Sequence, residues 1–380
     1  MDKSLLSKNY VLITGAATLF YIASFILNTV TGKYSLEIGA DKTIAGVITA
    51  VFTLSSFVSR PVWGYITDTK GRKISFLSGA MLCVVSSVML IFTETILILA
   101  LSRAVFGVGY SAFTTAGGTM ICDVVPEKTL SKAISFYGIT NVLSQALAPA
   151  AALWLYEKSF KTVAIAVVVL TAVSLAAGIF IRYREIEHIN PENRFRIYEK
   201  TALPAAFTIF FFAAATASVY SFIPVMAEER QIEHTGLFFI VSATGLMISR
   251  IFNTKFCNKT GETKVFYIGT FLFAAGFGII AFVQKLFLLL IAAALYGIGA
   301  GLIHPVVNTA AVKNCKSENR GLATGTFMMS QDIGMTAGAV LWGYISEKAG
   351  FTAVYLTVVF IGFTMAAVFK KLLHKMLENE

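Results

Sequence analysis

A chain of 380 residues with 56% hydrophobic and only 14% charged side chains is too apolar for a water-soluble domain, where about a quarter of the residues carry charge. With a mean hydropathy of +0.74 it belongs in a membrane. The net charge of +10 does not indicate nucleic acid, because Lys and Arg form neither a stripe nor a set interleaved with stacking aromatics. In chain order, twelve apolar stretches are long enough, at about 20 residues, to cross a bilayer core of about 30 Å. They run over 10–30, 43–66, 74–92, 96–121, 133–156, 162–181, 203–226, 236–256, 265–283, 286–311, 321–344 and 351–370. The first follows Lys3 and Lys8 but continues to about Thr31 without a small-residue cleavage pattern, so it reads as a retained helix.

With the N-terminus inside, most Lys and Arg fall in the inner segments, the asymmetry that sets orientation. Both termini are then cytoplasmic, in a multi-pass protein of the cell (inner or plasma) membrane. The longest polar segment, Ile181 to Lys200, lies at mid-chain and inside. It divides the chain into an N-terminal half 1–181, a cytoplasmic linker 182–200 and a C-terminal half 201–380. Cys83, Cys122, Cys257 and Cys315 show no short paired spacing and read as small packing residues.

The two halves are related. Ser59 to Gly71 (SRPVWGYITDTKG) aligns without gaps on Ser249 to Gly261 (SRIFNTKFCNKTG), 190 positions later. Gly107 and Gly109 fall on Gly297 and Gly299 at the same offset, and APAAALW ending at Trp154 matches TAGAVLW ending at Trp342. Six spans repeated in parallel describe an all-α membrane protein of two pseudo-symmetric six-helix bundles, with a substrate site near the bilayer midplane.

Between the second and third spans, GYITDTKGRK packs two glycines and four charges into ten residues. Gly64-x-x-x-Asp68-x-x-Gly71-Arg72-Lys73 resembles the signature cytoplasmic loop of the major facilitator superfamily. Gly64 would let the second helix approach a neighbour, Gly71 would permit the turn, and Arg72 and Lys73 would hold the loop inside. The resemblance implies the major facilitator fold with 12 transmembrane helices. It also implies that Asp68 pairs with Arg72 and with an acid ending the fourth helix, matched by Asp123, while facing the N-terminus of the eleventh helix. Such a set would latch one state of a rocking equilibrium. A solvated turn with a topogenic charge cluster is the other reading. The second-half copy holds Asn258, Glu262 and Thr263 where the first holds Asp68, Arg72 and Lys73, so a latch there would be weak or absent.

Charge within the spans is costly and must face protein or water. Arg103-x-x-x-Gly107-x-Gly109 resembles the family's fourth-helix motif, which implies a role in proton coupling; an arginine tying helices together is the competing reading. Arg60 and Arg250 sit near the inner ends of their helices, where snorkelling gives them a structural role. Asp332, near the centre of the eleventh span, either exchanges protons or contacts substrate, or bonds one helix to another. His304, before Pro305, is either a proton relay or ligand contact or a packing histidine. Asn28, Tyr137, Asn141, Gln145, Tyr220, Asn308 and Gln331 complete a cavity with hydrogen-bonding capacity and few fixed charges.

Proton-driven exporters of the family carry a glycine-rich fifth-helix motif ending in Gly-Pro-x-x-Gly-Gly. Here Pro149 is present, and Ser135, Ser144, Ala148, Ala152 and Leu153 stand at the glycine positions. Across nearly its whole length the chain resembles the 12-helix bacterial drug:proton antiporters, and Thr115 to Gly138 with Gln331-Asp332-x-Gly334 is similar to exporters of opine-type metallophores. The resemblance implies a proton-coupled exporter of small organic molecules, acting as a monomer on substrate and protons within the lipid bilayer. A symporter or facilitator importing a nutrient is the main alternative, and a membrane-embedded enzyme or receptor a remote one. No His-x-x-x-His pair, nucleophile elbow or P-loop is present, so neither an enzyme, a metal site, a cofactor nor ATP-driven pumping is expected.

Overall fold

The structure is a computed structural model that describes residues 7–40, 42–126, 129–182, 196–313 and 315–368. These residues form eleven α-helices: α1 Lys8–Glu37, α2 Lys42–Thr69, α3 Arg72–Ile91, α4 Ile96–Asp123, α5 Leu130–Tyr156, α6 Phe160–Ile179, α7 Leu203–Glu229, α8 Gly236–Thr260, α9 Glu262–Phe282, α10 Leu286–Lys313 and α11 Arg320–Val368. The last breaks at Gly350, whose φ of 76° is open to glycine without a Cβ clash, giving two limbs at 320–349 and 351–368. Within the described residues each of the twelve apolar stretches therefore falls on one helical rod; positions 369–370 of the last lie outside them. Among the described residues, nine helices are long and apolar enough to cross a membrane. Side chains such as Leu97, Phe271, Phe287 and Phe360 project outward, as expected where the solvent is lipid.

Local chemistry starts and stops the helices. Ser7, Thr95 and Ser159 accept from the backbone N–H groups of Tyr10, Ile98 and Thr162, satisfying donors that have no partner within the helix. Gly71 and Gly261 start α3 and α9 in nearly the same conformation, φ 114° and ψ 144° against φ 85° and ψ 148°.

The chain forms two compact units. The first comprises Met1–Ala133, Tyr137–Glu199 and Lys316–Thr326; the second Ile134–Phe136, Lys200–Cys315 and Phe327–Glu380. Most of the linker, 183–195, lies outside the described residues. In the first unit, Phe20 stacks on Phe113 at 3.8 Å between ring centres, and Phe76 packs on Phe113 at 4.1 Å. In the second, Phe273 lies within 5.5 Å of Phe212, Phe277 and Tyr296.

Helix contacts repeat between the units at the offset seen in the sequence. A Cβ on Gly107 of α4 would lie 2.4 Å from the Phe52 carbonyl of α2, and one on Gly297 of α10 would lie 2.1 Å from the Ser242 carbonyl of α8. Gly79 and Gly109 press α3 on α4 as Gly269 and Gly299 press α9 on α10. With lipid on the outside, burial of apolar surface gives little drive between helices, so backbone approach at small residues supplies the packing. The likeness fails at the tryptophans. Trp342 is fully buried and donates its indole N–H to the Ala214 carbonyl at 2.6 Å, whereas Trp154 is 58% exposed beneath Lys158.

Gly297→Ala forces α8 and α10 apart and is expected to cost about 1–3 kcal/mol. Gly15→Ala, in α1 with nothing within 4 Å of the new Cβ, is expected to be neutral. Thermal unfolding of the purified variants compares them; equal midpoints would mean that the glycine contact does not hold these helices.

Candidate functional site

At the end of α2 the chain places an acid against a helix start. Asp68 accepts the backbone N–H of Gly321 through Oδ1 at 2.8 Å and that of Leu322 through Oδ2 at 2.7 Å. These N–H groups open α11, have no acceptor within it, and carry the positive end of its dipole. Gly64, one turn back, makes the approach possible, since a Cβ there would lie 3.1 Å from Leu322 Cα.

Arg72, in the first turn of α3, lies 3.7 Å from Asp68, donates Nε to Asp123 Oδ2 at 3.0 Å, and reaches the Ser317 carbonyl through Nη2. Arg320 donates to Asp123 Oδ1 at 2.9 Å. Asp68, Arg72 and Asp123 keep no more than 7% of their side-chain surface exposed. Burial of these charges is tolerable because each meets an opposite charge and hydrogen bonds. Lys73, named with this group on sequence grounds, reaches elsewhere: its Nζ donates to the Ile179 and Ile181 carbonyls at the end of α6. A lysine there answers unpaired helix carbonyls.

Arg320 escaped the sequence reading. Its signal was present, since a cation at a helix start opposes the dipole and calls for an acid nearby. Thr324, which meets Thr119 at 3.3 Å, and Thr326, which accepts the backbone N–H of Glu199 at 2.9 Å, carry no comparable sequence signal.

Deeper in the first unit, Arg103 is fully buried; its Nη2 donates to Asn28 Oδ1, and its guanidinium lies 4.5 Å from the Phe52 ring centre. Its Nε and Nη1 have no acceptor among the described residues. The aromatic face and one amide thus hold a cation that carries no ion pair here. Tyr137, Asn141 and Gln145 recur every fourth residue on one face of α5, Tyr137 buried and the other two half-buried. Gly117 makes room for the Tyr137 hydroxyl, which would lie 2.8 Å from a Cβ on it. Of the positions matched to the export motif, Ser135, Ser144, Ala148 and Ala152 are fully buried, while Leu153 is 51% exposed and Pro149 half-buried. Small residues are kept where the helix meets neighbours: Ser144 also reaches the Thr18 carbonyl of α1 at 3.2 Å.

In the second unit, His304 Nε2 and Gln331 Oε1 are 3.3 Å apart, joining α10 to α11. Asn308 lies one turn beyond His304, also half-buried, on a helix otherwise buried over 299–312. Tyr220 is 43% exposed and stacks on Phe239. Asp332 is half-buried. Gly334, Gly338 and Trp342 form the face of α11 against α7, which turns Asp332 to the other side of the helix. Arg60 and Arg250, expected to snorkel, are instead 3% and 6% exposed. Both helices carry them inward, and Arg60 donates to Thr114 Oγ1 at 3.2 Å. The four cysteines are buried and form no disulfide among the described residues.

The family model "Major Facilitator Superfamily" matches residues 13–262 and again 205–378. The staphylopine export protein of Staphylococcus aureus is 22% identical over 361 residues, covering 89% of this chain and 89% of that one. Among solved structures, a bacterial homologue of the iron transporter ferroportin superposes with a TM-score of 0.82 at 15% identity, covering 96% of this chain and 99% of that one. The fucose:proton symporter of E. coli superposes with a TM-score of 0.80 at 13% identity, covering 95% and 98%. Twelve helical rods, a motif loop meeting the start of the eleventh helix, and a family model matched over nearly the whole length have one explanation: the chain is a transporter belonging to the Major Facilitator Superfamily.

Proposed function

We propose that this chain is a proton-coupled secondary transporter of the cell membrane that exports small organic molecules by alternating access, with both termini cytoplasmic. The observation that carries the reading is the capture of the first N–H groups of α11 by Asp68, within the network of Arg72, Asp123 and Arg320. A buried ion network of this kind is favourable only when complete, because breaking one member leaves charge unanswered until water enters. It is therefore a two-state element: closed and dry, or open and hydrated. The export direction draws on the likeness to the staphylopine export protein over 89% of each chain.

Asp332 is the proton-exchanging group in this reading, with Arg103 as the fixed charge of the other half, and His304, Gln331, Asn308, Tyr220, Asn28, Tyr137, Asn141 and Gln145 lining the substrate route. Import by symport is the competing reading, favoured by the serines and alanines standing where exporters carry glycine in α5.

Two outcomes test the proposal. Asp68→Asn keeps one acceptor oxygen but loses the charge, and is expected to shift the latch by roughly tenfold towards its open form while leaving membrane abundance unchanged. Maleimide labelling of Thr324→Cys, in a background lacking the native cysteines, reads this as faster modification, since Thr324 is 2% exposed; an unchanged rate removes the latch. In proteoliposomes with a substrate found by thermal-shift screening, Asp332→Asn is expected to lose acceleration by an imposed pH gradient while keeping substrate exchange. If that variant still concentrates substrate using protons alone, Asp332 is not the coupling group; net uptake driven by inward protons in the native protein would favour import.

A further inference from the structure

Arg250 on α8 is 6% exposed, ten residues before the end of its helix and so about 15 Å from it along the axis. Its Nε and Nη1 are sealed from solvent and meet no hydrogen-bond acceptor, and no carboxylate pairs with it, among the described residues. A snorkelling arginine would reach water, and an arginine tying helices together would spend its donors on carbonyls. Arg250 does neither. Interior guanidinium groups are otherwise answered by acceptors, because an unpaired buried charge is among the costliest arrangements a fold can carry.

The surroundings are polar on three further helices of the same unit. On α10 His304 supplies an imidazole, and on α7 Tyr220, which stacks on Phe239 of α8, supplies a phenol. His304 is oriented by Gln331 of α11 at 3.3 Å and edged by the rings of Phe212 and Phe327 at 6.1 and 5.6 Å. Helices α8 and α10 touch at this level: a Cβ on Gly301, one turn before His304, would lie 2.0 Å from Ser249 Oγ, beside Arg250.

We propose that Arg250, together with His304, Gln331 and Tyr220, is the recognition point for a carboxylate on the transported molecule. The proposal rests on the transporter reading above and adds to it the chemical class of the substrate. A guanidinium is a planar fork whose donors match the two oxygens of a carboxylate, and the charge-assisted bonds so formed are strong where water is excluded. The imidazole, amide and phenol add hydrogen-bonding groups, and the rings of Phe212 and Phe327 lie edge-on to the imidazole. A substrate carboxylate would answer the charge that the fold leaves unanswered, so binding and relief of the buried cation would be one event.

The test uses the purified full-length protein in detergent, with benzoate, its uncharged analogue benzamide, and inorganic phosphate as probes. Thermal unfolding and equilibrium dialysis of labelled benzoate are the readouts. Benzoate is expected to bind saturably and raise the unfolding midpoint, whereas benzamide and phosphate do not. Arg250→Gln is expected to weaken benzoate binding roughly tenfold or more, Arg250→Lys to retain part of it, and Lys259→Gln, at an exposed position, to leave it unchanged. Without probe, Arg250→Gln is expected to unfold at the same or a higher temperature, because it removes an unanswered charge; a structural tie would behave oppositely. The proposal is overturned by absence of benzoate binding to the native protein, by equal binding of benzamide or phosphate, by unchanged affinity in Arg250→Gln, or by a midpoint about 2 °C or more lower in that variant without probe. These readouts involve no transport, so their failure leaves the secondary-transporter reading standing. That reading fails separately, if proteoliposomes show no gradient-driven flux of any screened substrate.

Discussion

A charge withdrawn from water must be answered, and this constraint organises the molecule. Where α2, α3, α4 and the start of α11 meet, opposite charge answers it: Asp123 holds both Arg72 and Arg320, while Asp68 takes two helix N–H groups and lies 3.7 Å from Arg72. Such a set holds only while complete, since loss of one contact exposes the rest to an apolar interior. That makes it suited to a switch and poorly suited to a permanent brace.

At two other buried arginines the charge is answered in part or not at all by the protein. Arg103 has one amide and an aromatic face; Arg250 has neither hydrogen bond nor ion pair among the described residues. A fold optimised for stability alone would fill these places with apolar side chains. Keeping a cation in the interior of a helix that crosses lipid is intelligible, on the proposed reading, when a mobile substrate anion answers it in turn.

The internal repeat shows which features packing requires and which function adds. Glycine contacts between α2 and α4 recur between α8 and α10, and those of α3 and α4 recur between α9 and α10, because helices in lipid cohere through close backbone approach. The motif acids and bases do not recur, as Asn258, Glu262 and Thr263 replace Asp68, Arg72 and Lys73. The first-half acid Asp68 meets the start of α11, not a duplicate of its own motif.

The amino-acid sequence alone determined the number of the spans and the repeat, because apolar length and glycine spacing are local properties that survive without coordinates, while the grouping of Asp68, Arg72 and Asp123 came from the resemblance of the charged turn to the superfamily's signature loop. It pointed to His304 and Gln331 as separate polar residues, but their meeting at 3.3 Å joins α10 to α11, and linear order carries no trace of it. The same holds for Arg320 against Asp123, for Lys73 turning to the end of α6, and for Arg250, placed by its position near a helix end among snorkelling residues. Which way a long side chain turns from its helix depends on which neighbours surround it, and only the tertiary packing decides that.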